Sequence, residues 1–404
     1  MDFLQDAIST VHNHRPMDAH QEQRFNEQLA QRRACVLIPC LFDELRRPAL
    51  ALTRDVLARF SNLSHLVIAL AAEHQDEVDQ TKVFFQEMPC PVQVLWTNGP
   101  VLRDFMAHTH DAGLDVLGPA GKGWAVWVGL AAATLEAELI ALFDADIRTF
   151  NPSYPVRMLG PLLERQFGVA YVKAFYSRLS LEENRMHGRA TRLFVMPILE
   201  ALQQLVGPKT LLSYLHAFRY PLSGEFSFTA DLALNLRVPC DWGLEMGLLA
   251  EVYRNLTISH IAQVDLGVFD HKHKGIGTAR MEGLQRMCSE ILACLMRALM
   301  EHESIALSRE EAATLEVLYQ RIAKDRVRQH HLDAAINGLP YDRHAEESIV
   351  NCFAKLVRPC WNDFMGAPTG FRLPSWTRAL AFNPNLRQEV VAAATKNTAA
   401  IQAT

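Results

Sequence analysis

Short apolar runs alternate with stretches of helical spacing along most of the chain. Residues 1–33 are polar with sparse apolar positions and predict one or two surface helices. Ala34–Pro39 (ACVLIP) is an apolar run closed by proline, the pattern of a buried strand, and helical spacing follows over Arg47–Phe60. The same alternation continues with a strand at His65–Ala72, a helix near Asp76–Gln86 and a strand at Pro91–Trp96. Gly121-Lys122-Gly123 opens an amphipathic run, Trp124–Leu135, and Leu139–Phe143 is a fully apolar strand that delivers Asp144-Ala145-Asp146. Further strands are predicted at Gly168–Tyr176 and Ile258–Val268, with helices over Thr191–Leu205 and Leu244–Tyr253. Alternating strands and helices define an α/β fold around a mostly parallel sheet, in which ligands sit at the carboxyl ends of the strands. Beyond about residue 280 helical periodicity dominates, and the alanine-rich Val390–Thr404 reads as a frayed helix. The domain reading is an N-terminal helical segment at 1–33, a catalytic domain at 34–285 and a helical C-terminal extension at 286–404.

Composition narrows the function. The 404 residues carry 40 Lys+Arg against 45 Asp+Glu, a formal charge of −5, and 49% are hydrophobic. That is the balance of a core-forming protein, and without a basic run it disfavours nucleic acid as a partner. The apolar run Trp124–Leu135 stops well short of the ~18–20 residues of a membrane-spanning helix. The eight cysteines form no C-x-x-C pair and read as buried free thiols, and the start of the chain lacks the basic and apolar regions of a signal peptide, so a cytoplasmic protein is expected.

Asp144 and Asp146 lie at i and i+2 after a buried strand, where two carboxylates need a cation. A Mg²⁺ or Mn²⁺ ion holding a nucleotide diphosphate would satisfy them, although for the bare motif a strand-end turn capping the next helix is the commoner arrangement. Asp270-His271-Lys272-His273-Lys274 adds an imidazole and two ammonium groups after another strand, yet a solvated loop has the same composition. Lys122 between two glycines suits an anion but lacks the full phosphate-loop pattern. Gly224-Glu225 and Asp241-Trp242-Gly243-Leu244-Glu245 place acids where sugar hydroxyls could be held, or in ordinary turns. Motifs of serine hydrolases, zinc proteases and dinucleotide oxidoreductases are missing from the expected contexts.

Taken in order, IPCLFDE at 38–44, AGKG at 120–123, FDAD at 143–146, VKAFYSR at 172–178, HGRAT at 187–191, PLSGE at 221–225, DWGLEMGLL at 241–249 and IAQVDLGVFDHKHK at 261–274 form a series. The series resembles the glucosyl-3-phosphoglycerate synthases, retaining glycosyltransferases of the GT-A (Rossmann-like) fold, and more loosely the mannosylglycerate synthases. The resemblance implies a mostly parallel sheet flanked by helices and glucose transfer from UDP-glucose to 3-phosphoglycerate with a divalent metal. It implies nucleotide-sugar binding by Pro39, Cys40, Leu41, Asp43, Lys122, Asp144, Leu222, Ser223 and Gly224, and metal ligation by Asp146 and His271. Acceptor binding falls to Gly188, Arg189, Thr191, Lys272 and Lys274, and catalytic roles to Glu225, Glu245 and Asp146. It further implies a homodimer and synthesis of the compatible solute glucosylglycerate. Three departures stand out: Phe42-Asp43-Glu44 follows the proline loop where an asparagine and two acids are common, Ala71-Ala72-Glu73 ends the second strand where an Asp-Ser-Gly type turn is usual, and Phe269 replaces an arginine two residues before the histidine.

Retention without an unambiguous nucleophile favours a front-face substitution in which the leaving phosphate oxygen helps take the acceptor proton; double displacement through Glu225 or Glu245 is the alternative. Other readings are a mannosyl- or glucosyltransferase acting on glycerate, a nucleotidyltransferase, disfavoured because Ile38–Glu44 contains no glycine, and a non-catalytic nucleotide-sugar-binding protein.

Overall fold

The computed structural model describes residues 4–271 and 282–396. Its strands are β1 (Ser9–Val11), β2 (Ala34–Leu41), β3 (His65–Ala71), β4 (Val92–Trp96), β5 (Leu139–Leu142), β6 (Tyr171–Ser180), β7 (Arg185–Met186), β8 (Phe226–Thr229), β9 (Val238–Pro239), β10 (Ile261–Phe269) and β11 (Arg372–Leu373). The main sheet runs β1-β10-β6-β8-β5-β2-β3-β4, with β7 paired to β6, and β9 and β11 form a separate antiparallel pair. Only β8, wedged between β5 and β6, and the short β7 run antiparallel in the main sheet. This is the α/β architecture, mostly parallel and flanked by helices, that the alternating pattern predicts.

Successive strands β2, β3 and β4 step outward in one direction, whereas β5 pairs on the opposite side of β2. The crevice between the carboxyl ends of β2 and β5 is therefore a switch point of the sheet, where open α/β folds place ligands. Pro39 fits this strand because β5 pairs only as far as Leu37 opposite Leu142. Its missing N–H falls where β2 has a single neighbour.

The helix Lys122–Glu136 buries Gly123–Thr134 without a break, so the run expected to be amphipathic is covered all round. One reason is the C-terminal chain. Trp376 is fully buried and stacks on Trp127 with ring centroids 4.1 Å apart. Their indole N–H groups donate to backbone carbonyls on the opposite segment, Trp127 to Pro374 and Trp376 to Trp127. The helix Leu386–Thr395 packs over the same helix, with Leu386 and Val390 buried and Arg387 donating to the Thr134 carbonyl. The frayed-helix reading of Val390–Thr404 is therefore corrected for residues up to 395: a face of buried Leu and Val anchors it. Residues 397–404 lie outside the described residues.

The N-terminal reading also needs correction. Ala19–Leu29 is a helix, with Asp18 and Gln21 forming a reciprocal capping box, but Ser9–Val11 is a strand that extends the sheet beside β10. Three residues carry too little periodicity to separate strand from helix, and the neighbour that decides lies about 250 residues away in sequence, Ser9 opposite Ala262. The eight cysteines are free thiols, all buried except the half-buried Cys352. Among the described residues no helix is long and apolar enough to cross a membrane.

Candidate active site

A cavity of about 670 Å³ opens at the switch point. Pro39, Cys40 and Leu41 at the end of β2, Ala69 and Ala71 of β3, and Thr97 and Asn98 after β4 line one half. The Trp96 and Trp124 indoles brace this half by donating to the carbonyls of Ala72 and Thr97, at 2.9 and 2.7 Å. Cys40 faces carboxylates: burial, then the charges of Glu44 and Asp146, push its thiol far up, so it stays neutral. Asp43 is not among the lining residues; it is exposed and paired with Arg46, while the next residue, Glu44, lines the cavity.

The floor holds a charge cluster. Lys122 begins its helix and places Nζ 2.6 Å from Asp144 Oδ1 and 3.2 Å from Glu245 Oε1. Burial alone would lower its pKa, but the two carboxylates outweigh it and hold the ammonium charged far above ordinary lysine. A side chain at position 224 would collide with Asp144 and Lys122, so Gly224 lets these groups meet. Leu222 and Gly224 line the cavity, whereas Ser223 and Glu225 are buried behind it. Lys173, fully buried on β6, donates to the Ser223 carbonyl at 2.7 Å and fixes this turn from below. Burial lowers its pKa to about 8. Burial and the charge of Asp144 raise Glu225 to about 8 despite Lys122, Tyr176 and Lys173 pulling the other way.

Asp144, Asp146 and His271 bring one ligand atom each within 4.8 Å of one another. His271 arrives there because it forms an isolated antiparallel bridge with Ile147, directly after the acidic turn. Its Nδ1 lies 3.6 Å from Asp146 Oδ1. Burial pushes the Asp146 carboxyl up, but the hydrogen bond and charge of His271, with Lys122 behind, hold its pKa below the ordinary aspartate value. Two carboxylates and an imidazole suit Mn²⁺ or Mg²⁺, with further positions left for phosphate oxygens. Lys272 and Lys274 lie outside the described residues.

The other half of the cavity is lined by His187, Gly188, Arg189 and Thr191, with Tyr176, Arg178 and Tyr220. Gly188 has φ +76°, and a Cβ there would meet Tyr220 Oη at 2.8 Å, so the turn requires glycine. Arg189 donates to Glu346 Oε1 at 2.9 Å, and Arg192 Nη1 lies 2.5 Å from Glu346 Oε2. Arg178 stands beside Phe269 in the register of β6 and β10, so a guanidinium is supplied from the neighbouring strand where residue 269 itself has none.

The sequence offered no signal for several of these residues. Glu346 lies in an ordinary-looking charged helix start, and Leu284 and Met287, which also line the cavity, belong to the segment that follows 281. Arg178 and Tyr176 belonged to a quoted motif, VKAFYSR, without an assigned role.

A carboxyl-end crevice with a Lys–Asp–Glu cluster, an Asp-Asp-His ligand group and an adjoining arginine turn is the arrangement of a nucleotide-sugar-dependent glycosyltransferase. Comparison with known proteins agrees. The chain is 40% identical over 390 residues to the glucosyl-3-phosphoglycerate synthase of Methanococcoides burtonii, covering 96% of each chain. It is 32% identical to that of Persephonella marina, over 97% of this chain and 98% of the relative. The chain therefore belongs to the glucosyl-3-phosphoglycerate synthase family. Its fold is similar to that of the Mycobacterium tuberculosis glucosyl-3-phosphoglycerate synthase solved with Mn²⁺, UDP-glucose and phosphoglyceric acid: TM-score 0.53, 24% identity, 72% of this chain and 87% of that one. A search of protein-family models gave no match.

Proposed function

We propose that the protein transfers glucose from UDP-glucose to D-3-phosphoglycerate, with retention and with a divalent metal, to give glucosyl-3-phosphoglycerate. The observation that carries this reading is one cavity joining the Asp144/Asp146/His271 group to the Gly188–Thr191 turn, in a chain matched over nearly its whole length by synthases of that name. Uridine occupies the half formed by Pro39–Leu41, Thr97 and Asn98. Asp146 and His271, with Asp144 beside them, would hold Mn²⁺ or Mg²⁺, and the bound ion would supply positive charge for the departing diphosphate.

Lys122 keeps Asp144 and Glu245 in place and presents a fixed positive charge at the cavity floor. Glu245 and the Leu222–Gly224 turn orient the hexose, and Glu225, neutral below about pH 8, supports the turn from behind the cavity wall. Arg189, Gly188 and Thr191 receive the acceptor, and the guanidinium fork of Arg189 suits its phosphate or carboxylate. Holding the acceptor hydroxyl near the anomeric carbon then supplies much of the rate through orientation, as front-face substitution requires. Lys272 and Lys274 remain proposed acceptor contacts, and Asp43 a peripheral nucleotide contact.

The product feeds synthesis of glucosylglycerate as a compatible solute in the cytoplasm, and the working form is a homodimer. We keep the domain reading of a catalytic unit over 34–285 with segments 1–33 and 286–404 attached. The test is a panel of UDP- and GDP-sugars against 3-phosphoglycerate and glycerate, following nucleotide release with and without EDTA. UDP-glucose with 3-phosphoglycerate should be fastest and EDTA-sensitive; a faster rate with GDP-mannose or glycerate would move the substrate assignment.

A further inference from the structure

A second cavity, of about 650 Å³, adjoins the first along a shared wall that includes Arg178, His187, Gly188 and Thr191. Its opposite side comes from the helix Arg309–Ile336, in the region where the sequence carried no functional motif. Four guanidiniums line it, those of Arg178, Arg192, Arg219 and Arg326, against one carboxylate, Asp333.

The arginines are only partly compensated. Arg326 pairs with Glu200 at 2.8 Å. Arg192 meets Glu346, a carboxylate it shares with Arg189 of the first cavity. Arg219 is exposed; it stacks over Phe175, donates to the Leu4 carbonyl and meets His12 Nε2 at 3.1 Å, and no carboxylate lies within ion-pair distance of it among the described residues. Arg192 is nine-tenths buried; its Nε donates to the His187 carbonyl at 3.0 Å and its guanidinium lies over the Tyr341 ring, while Nη2 makes no hydrogen bond of good geometry among the described residues. Nε2 of His216, on the same wall, is likewise buried and unpartnered. Burial, and next the Arg192 guanidinium, lower His330 to about 4 against the pull of Asp333 and Glu346. Buried donors without acceptors are costly, and a ligand that supplies the acceptors removes the cost.

We infer that this second cavity binds a phosphate group, held between Arg192, Arg219 and Arg326 and separate from the acceptor region of the first cavity. Guanidinium forks supplied to one cavity by three chain segments suit a tetrahedral oxyanion, which offers acceptors in several directions, better than a planar carboxylate. The volume exceeds what a bare phosphate fills, so the site admits either inorganic phosphate or the phosphate monoester of a small polyol. The inference goes beyond the transfer reaction and does not depend on the identity of its substrates.

The test is calorimetric titration of the full chain with inorganic phosphate, and separately with glucose 6-phosphate, in the presence and absence of saturating 3-phosphoglycerate. The wild type and an Arg219→Gln/Arg326→Gln double variant are compared, since neither residue lines the first cavity. The expected result is one equivalent of phosphate bound even with 3-phosphoglycerate present, weakened roughly tenfold or more in the double variant. The double variant should keep kcat and both KM values of the transfer reaction when no phosphate is added. Tighter binding of glucose 6-phosphate marks the monoester as the occupant, and tighter binding of inorganic phosphate marks the free ion. No binding to the wild type under 3-phosphoglycerate, or equal binding by the double variant, would overturn the inference. Failure of the substrate assignment shows instead as absent transfer product and leaves the phosphate titration unchanged.

Discussion

Arg189 and Glu346, 157 positions apart in sequence, are joined by a 2.9 Å hydrogen bond from Nε to Oε1. The carboxylate is buried and also meets Arg192, so one acid from the C-terminal helices fixes two guanidiniums at and just after the Gly188–Thr191 turn. The pair leaves the two terminal nitrogens of Arg189 for a ligand. Glu346→Gln should raise KM for 3-phosphoglycerate about tenfold while KM for UDP-glucose changes less than about twofold. Equal changes in both, in a variant that melts normally, would show that Glu346 only packs.

The metal group makes a sharper demand. Asp146→Asn and His271→Gln each remove a proposed ligand with little change of shape, and each should lower turnover roughly a hundredfold or more at ordinary metal levels. A manganese titration checks this: partial rescue at high Mn²⁺ is expected, whereas wild-type activity at low Mn²⁺ in either variant would reject the assignment.

Glu225 predicts a pH dependence. Its carboxyl is raised to about 8 by burial and by Asp144, so between its ordinary value and about 8 the folded protein holds a proton that the unfolded chain has released. Stability must fall as pH rises through that window, with a slope of up to about 1.4 kcal/mol per pH unit from this group, and the slope vanishes above it. Glu225→Gln lacks the titration. Its Tm relative to wild type should therefore climb between pH 5 and pH 8; parallel profiles would place the carboxyl in its ordinary range.

Trp376 ties the end of the chain to the helix that starts at Lys122. Trp376→Ala removes a fully buried ring stacked on Trp127 and should cost about 3–5 kcal/mol in a single cooperative unfolding transition. A separate early melt confined to the C-terminal helices would show that they are an independent unit.

These relationships divide what the sequence reveals from what it hides. The runs Ala34–Pro39, His65–Ala72 and Leu139–Phe143 were legible as strands because buried parallel strands are apolar throughout, and Asp144-Ala145-Asp146 was legible because acids rarely follow such a strand. The short strands Ser9–Val11 and Phe226–Thr229 went unread, since their pairing depends on distant neighbours rather than on local period. Glu346 was invisible for the same reason: Arg-His-Ala-Glu-Glu at a helix start is everyday composition, and only the packing of that helix brings the acid to Arg189. Ser223 and Glu225 were read as sugar contacts, whereas the structure places both behind Gly224, a difference of facing that a turn sequence does not encode.

Mass spectrometry of the product formed from UDP-glucose and D-3-phosphoglycerate with Mg²⁺ or Mn²⁺ decides whether the protein makes glucosyl-3-phosphoglycerate. The expected product is a phosphorylated glucosylglycerate, formed together with UDP and abolished by EDTA. Release of UDP without that product, or an unphosphorylated glycoside formed only from glycerate, would contradict that assignment.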